Sequence, residues 1–358
     1  MTTRAFVIKL FLFSLPFLFL VGLYFFWDPF KVLKHYDRYY QSGKPSYVSI
    51  NKDVVSTENW VNHSPEFQYD SYIFGNSRSI YYQVETWKNC IDRGASQCYH
   101  FDASGESLYG ICKKISFLDS RNIHIANSLL VIDYDCLEGY KNSEGHLFAK
   151  DPKISGQNPL AFQMDCLKDF FDFQFLTAWL DFKLSGKVKD YMKKDFLLDD
   201  RPFIYDYVTN EMRQDYFEEM IKKDPQEYYN PRKAMFYNRD TTTQKIAEAS
   251  LQKPQKILLD TIAAIFKRNS TNYRIVISPL YDQLKLNPAD LLFLRQRFGE
   301  NTVFDFSGIN AITNNEQNYY ETSHYRPHVA NAIMKIIYGG EGSSPRIAAQ
   351  NPPPTYPN

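Results

Sequence analysis

The chain has 358 residues, 44% of them hydrophobic and 16% aromatic, enough to bury one large core with room for an insertion. Forty-one lysines and arginines balance 41 aspartates and glutamates. That zero net charge carries no electrostatic footprint for nucleic acid, so a charged ligand would need a local patch.

The first element in chain order is the run LFLFSLPFLFLVGLYFFW, residues 10–27, uncharged and framed by Lys9 and Asp28. A run of about this length crosses a bilayer. It ends in Tyr-Phe-Phe-Trp and lacks the small-residue cleavage site of a signal peptide, so residues 5–27 read as a signal anchor. Arg4 and Lys9 on its short side and an aromatic belt from Tyr24 to Trp27 predict a cytoplasmic amino end and an extracytoplasmic, periplasmic body. Residues 28–68 are polar and aromatic without a clear period and read as a stalk. Cys90, Cys98, Cys112, Cys136 and Cys166 show neither CxxC pairing nor metal-ligand spacing; an exported body permits a disulfide, with Cys90 and Cys98 the pair closest in sequence.

Strand-like runs then recur at 71–75, 98–102, 127–133, 272–278 and 302–306, followed in most cases by helix-like stretches such as 105–118, 287–298 and 327–338. Strands alternating with helices predict an α/β fold built on a parallel, doubly wound sheet, over residues 69–338. The interval of about 140–250 interrupts the alternation and predicts a mostly helical insertion that covers the sheet or shapes a substrate pocket. Beyond Tyr338 the Gly-, Ser- and Pro-rich tail, 339–358, is expected to be disordered.

In an open α/β sheet, ligands gather outside the carboxyl ends of the strands, which selects a few segments. They are Gly75-Asn76-Ser77-Arg78-Ser79, Ala103-Ser104-Gly105, Asp133-Tyr134-Asp135 and the late stretch YYETSHYRP. Within the first, Gly75 permits a tight turn after an apolar strand, and Ser77 or Ser79 would cap a helix carrying Ile80 and Tyr81 inward. A serine hydroxyl becomes a nucleophile only when a base takes its proton, and Glu321 and His324, three residues apart, supply a carboxylate and an imidazole for that task. Plainer roles compete: Ser77 as a helix cap, Gly105 as a turn glycine, Glu321 as a surface carboxylate, and Asp133 and Asp135 as ion-pair partners of Arg78. His328 is a rival base, better suited to packing or exposure at the start of the last helix.

IFGNSRS followed late in the chain by YYETSHYRP resembles the SGNH, or GDSL-type, hydrolase superfamily. The similarity is to its membrane-anchored extracytoplasmic branch, which includes proteins of lipoteichoic acid D-alanylation and alginate acetylation. It spans roughly residues 70–135 and 272–338 and implies a three-layer αβα sandwich with a flavodoxin-like parallel sheet. It further implies Ser77 as nucleophile, His324 as base, Glu321 in the place of the usual aspartate, and an oxyanion hole from the Ser77 and Gly105 N–H groups. Asp133-Tyr134-Asp135 stands where the family's asparagine donor would lie, and ionised carboxylates only accept hydrogen bonds. Asn76, Arg78 and Asp133 are therefore auxiliary candidates. The resemblance implies an esterase or O-acyltransferase acting on acylated envelope glycans or acyl donors, without cofactor or metal, beside a membrane-bound O-acyltransferase. A non-catalytic scaffold or glycan-binding partner of such an enzyme is the alternative.

Overall fold

The computed structural model describes residues 3–92 and 94–339. A first helix, α1 (Thr3–Trp27), is long and apolar enough to cross a membrane. Helix α2 (Lys52–Phe67) follows, and then strand β1 (Ser71–Gly75), helix α3 (Val84–Asp92), β2 (Cys98–His100), α4 (Leu108–Ser120) and β3 (Asn127–Ile132). After an interruption come two long helices, α5 (Pro159–Phe170) and α6 (Phe173–Ser185), and further on α7 (Asp215–Lys223). Helix α8 (Lys253–Asn269) returns to β4 (Asn272–Ile277), α9 (Pro288–Phe298) and β5 (Val303–Asp305). A hairpin of β6 (Tyr319–Glu321) and β7 (His324–Tyr325) leads into α10 (Pro327–Tyr338).

Strands β1 to β5 form one sheet in the order β2-β1-β3-β4-β5, with every neighbouring pair parallel. Parallel strands buried on both faces read as continuous apolar runs, which is why central strands β1 and β3 were legible as strands. Alternate residues feed separate cores. Tyr72, Phe74, Leu130 and Ile275 face α4 and α8 in one cluster, while Ile73, Leu129, Val131 and Val276 face Trp87 of α3 and Ile333 of α10 in another. Helix starts follow local chemistry: Ser107 caps α4 through the Gly110 N–H, and Asn287 caps α9 with Pro288 in its first turn.

Three expectations are revised. Residues 28–68 are not a free stalk: Phe30, Tyr40, Val55 and Trp60 are buried, and Asn51 both caps α2 and donates 2.7 Å to the Ala149 carbonyl. This segment hid its structure because its two faces pack on different neighbours, so no single period emerges. The turn after β1 does not open directly into a helix; a single 3₁₀ turn, Ser79–Tyr81, buries Ile80 and Tyr81, and α3 begins only at Val84. The 140–250 interval mixes helices with antiparallel ribbons, Ile204–Asp206 with Glu211–Arg213 and Tyr47–Val48 with Leu198–Asp199. All five cysteines are free thiols, and four are buried, out of reach of oxidants. Beyond Gly339, the tail expected to be disordered lies outside the described residues.

Candidate active site

The chain leaves β1 through Gly75, where any side chain would collide with the Val131 carbonyl oxygen at 2.6 Å and Ser79 Cβ at 2.7 Å. Only glycine fits between two strands at that approach. Asn76, buried, then ties the turn together. Its side-chain oxygen accepts the Arg78 N–H at 3.0 Å, its carbonyl accepts the Ser79 N–H at 2.9 Å, and its amide donates 2.8 Å to Asp133. These bonds close the turn beneath Ser77, which stays half-buried at the carboxyl end of the sheet.

From the other end of the chain, the β6–β7 hairpin brings Glu321 and His324 into register as a cross-strand pair. Adjacent Cβ atoms in such a pair lie within reach of one another's side chains. His324 Nδ1 meets a Glu321 carboxylate oxygen, and His324 Nε2 lies 2.8 Å from Ser77 Oγ. Burial pushes the Glu321 carboxyl up, but His324, the Ser323 N–H and Arg78 outweigh it and hold the group below its ordinary value. Glu321 is therefore ionised near neutrality, facing the ring nitrogen that must carry a proton.

The hairpin is held from three sides. Tyr319 Oη donates 2.9 Å to the Pro279 carbonyl, and Tyr228 and Tyr229 of the insertion donate to the carbonyls of Tyr320 and Tyr319. Glu218 on α7 accepts from Arg326 at 2.7 and 2.8 Å and from the Tyr320 hydroxyl at 2.6 Å. Arg78 closes the third side, with Nε donating 2.9 Å to the Ser323 carbonyl and a terminal nitrogen 2.6 Å from Asp133. One guanidinium thus joins the serine turn, the end of β3 and the Glu321–His324 turn.

Asp133 occupies the place where an oxyanion donor was sought, and its carboxylate points elsewhere. One oxygen caps the short helix Tyr134–Glu138 through the Cys136 N–H; the other is shared by Asn76 and Arg78. Burial and the neighbouring Asp133 charge push Asp135 up, with Arg78 opposing. Asn76 and Arg78 are thus engaged as braces. Among the described residues the N–H groups of Ser77 and Gly105 have no protein acceptor. Gly105 sits at φ +55°, and a side chain there would press on the Phe148 ring at 3.1 Å. His328 is apart from this cluster, bonded to Asn318 at 2.9 Å.

Two features escaped the sequence reading. His100, wholly buried on β2, lies 3.1 Å from Ser79 Oγ, two residues from Ser77. Behind Gly105, Lys114 meets Glu106 at 2.6 Å and Asp53 at 3.0 Å, and Lys150 meets Glu106 at 2.8 Å, all of them buried. Burial alone would push Glu106 up; the two lysines outweigh it and hold the carboxyl well below its ordinary value. Such a network is tolerated because each charge has partners, and it locks α2, α4 and the insertion together. Its sequence signal is Lys114 on the apolar stripe of Ile111, Ile115 and Leu118 in α4. No protein-family model matches the chain, and no curated protein matches its sequence.

Proposed function

We propose that the chain is a membrane-anchored serine esterase or O-acyltransferase of SGNH type, with a three-layer αβα body, working on acylated envelope glycans or their acyl donors outside the cytoplasm. The observation that carries this reading is the continuous hydrogen-bonded chain from Ser77 Oγ through His324 to the Glu321 carboxylate. The strand order β2-β1-β3-β4-β5, that of flavodoxin-like sheets, supports it, since the three residues gather at the carboxyl ends of the strands. Arg4 and Lys9, at the amino end of α1 before its uncharged run, support the orientation.

In this mechanism Ser77 Oγ attacks the acyl carbonyl while His324 Nε2 takes its proton, and Glu321 stabilises the resulting imidazolium. The Ser77 and Gly105 N–H groups receive the charge that develops on the carbonyl oxygen. Collapse expels the alcohol with the proton from His324, leaving an acyl-serine ester. Water or a sugar hydroxyl, deprotonated by the same histidine, then takes the acyl group and restores the serine. A membrane-bound O-acyltransferase in the same bilayer is the partner this reading suggests.

A fluorophosphonate, which traps only an activated serine, tests the assignment. The full chain labels; Ser77→Ala does not; His324→Ala labels far more slowly, and His328→Ala nearly as the wild type. Equal labelling of all four proteins removes Ser77 as nucleophile. A second reading, a non-catalytic scaffold, is favoured by the side-chain donors Asn76 and Arg78 being spent on Asp133. Absence of labelling in folded wild-type protein would favour that scaffold.

A further inference from the structure

The insertion's two long helices, α5 and α6, form a hairpin whose turn lies against α1 rather than against the sheet. The ring of Phe171, in the turn, stacks on Phe17 with centroids 4.9 Å apart. Phe170 packs on Tyr24 at 5.2 Å, and Trp179 meets Trp27 edge-on at 5.5 Å. The hairpin thus meets α1 at two levels, near Phe17 through its turn and near Trp27 through Trp179 of α6.

Membrane thickness turns this packing into a statement of depth. A spanning helix keeps about 20 residues in the hydrocarbon. The uncharged run 10–27 fills most of such a window, whose body-side end falls between residue 22, short of the aromatic belt, and Trp27, so it contains Phe17. Phe17 is then five to ten residues inside the boundary, about 7–15 Å at 1.5 Å per residue. Phe171, stacked on Phe17, shares that depth.

The surroundings agree. Phe173, next to the turn, is 79% exposed, a large cost in water for an aromatic ring and none in acyl chains. Trp27, 41% exposed, with the Lys183 ammonium 5.7 Å from its ring, is the aromatic and basic pairing expected at the headgroup level. The charged group at the tip, Asp172, is not left bare: it caps α6, accepting the Gln174 and Phe175 N–H groups at 2.9 and 3.0 Å.

We propose that the α5–α6 hairpin is a membrane-inserted element, with Phe171 and Phe173 among the acyl chains of the leaflet nearest the body. The inference rests on α1 being a membrane anchor. A single helix would let the body swivel; a second point of immersion fixes its orientation and the height of the site it carries.

The test places the photoreactive residue p-benzoylphenylalanine singly at Phe13, Phe173 or Leu292 of the full-length protein in native membranes. Phe13 lies in α1 and is 86% exposed, and Leu292 lies on α9 and is 53% exposed. Lipid adducts at positions 13 and 173 and none at 292 are expected. Adducts at 13 without adducts at 173 overturn the hairpin proposal and leave the anchor standing. No adduct at 13 removes the anchor and the proposal with it. Adducts at 292 as strong as at 173 overturn it too, since contact would then be unselective.

Discussion

Two serine–histidine pairs stand two residues apart on the same turn, and they differ in everything except composition. Ser77 faces His324 at 2.8 Å and Ser79 faces His100 at 3.1 Å. Ser79 gives its hydroxyl hydrogen to the Asn76 carbonyl at 2.7 Å, so the hydrogen bond from the ring requires a proton on His100 Nε2. His100 Nδ1 is buried with no hydrogen-bond partner among the described residues, and full burial lowers the ring's pKa to about 4. That imidazole has no free lone pair toward its serine, and although Asp102 favours a positive charge on it, burial together with Lys52 and Lys114 outweighs that attraction. His324 has the reverse arrangement: Glu321 holds the proton on Nδ1, which leaves Nε2 free to accept from Ser77. In the proposed mechanism it is the carboxylate and access to solvent, rather than proximity of hydroxyl and ring, that make one pair reactive and leave the other structural.

The comparison is broken most directly by exchanging roles. Ser77→Ala should lower ester turnover by about 10⁴-fold or more, whereas Ser79→Ala should leave kcat within a few-fold and lower the melting temperature. Equal losses in kcat would mean that the two pairs are not functionally distinct. Glu321→Gln should cost on the order of 10³–10⁴-fold in kcat, because the amide can place its N–H toward the ring and favour the wrong tautomer. A change below about tenfold would show that Glu321 is not the orienting carboxylate.

The buried pair is sharpened by pH. His100 is held neutral in the folded protein at a pKa of about 4, while an unfolded histidine titrates near its ordinary 6.5. The stabilisation is complete above about pH 6.5 and is lost as pH falls from there toward 4, because only the unfolded chain takes up the proton in that window. The loss reaches about 3 kcal/mol. In detergent solution, the urea midpoint of the wild type should therefore fall more between pH 7.5 and 4.5 than that of His100→Gln; parallel falls would refute the assignment.

A smaller loss of turnover than at Ser77 or Glu321 belongs to Arg78. Arg78→Lys keeps the charge near Asp133 but loses the fork that also reaches the Ser323 carbonyl. Turnover should drop about 10–100-fold, the equivalent of one or two charged hydrogen bonds, with KM little changed. A change in KM alone would place Arg78 in substrate binding instead.

The residues by themselves determined the strands and the ends of the site. The five strand runs alternate with helical stretches and so read as a parallel sheet, most plainly at β1 and β3, where burial on both faces leaves no polar alternation. Gly75-Asn76-Ser77 and Glu321-Thr322-Ser323-His324 stood out because strand ends are where chemistry gathers, and helix α1 was legible from its unbroken apolar run. Tertiary structure decided the rest. Nothing local distinguishes Ser77 from Ser79, since the difference lies in partners 247 and 21 residues away along the chain. The packed course of residues 28–68, the lysines and carboxylates buried behind Gly105, and the seating of the α5–α6 hairpin on α1 all depend on segments far apart in sequence. A charge can be buried only when the fold supplies its counter-charge, and Asp53 and Lys150 reach Lys114 and Glu106 from distant segments of the chain.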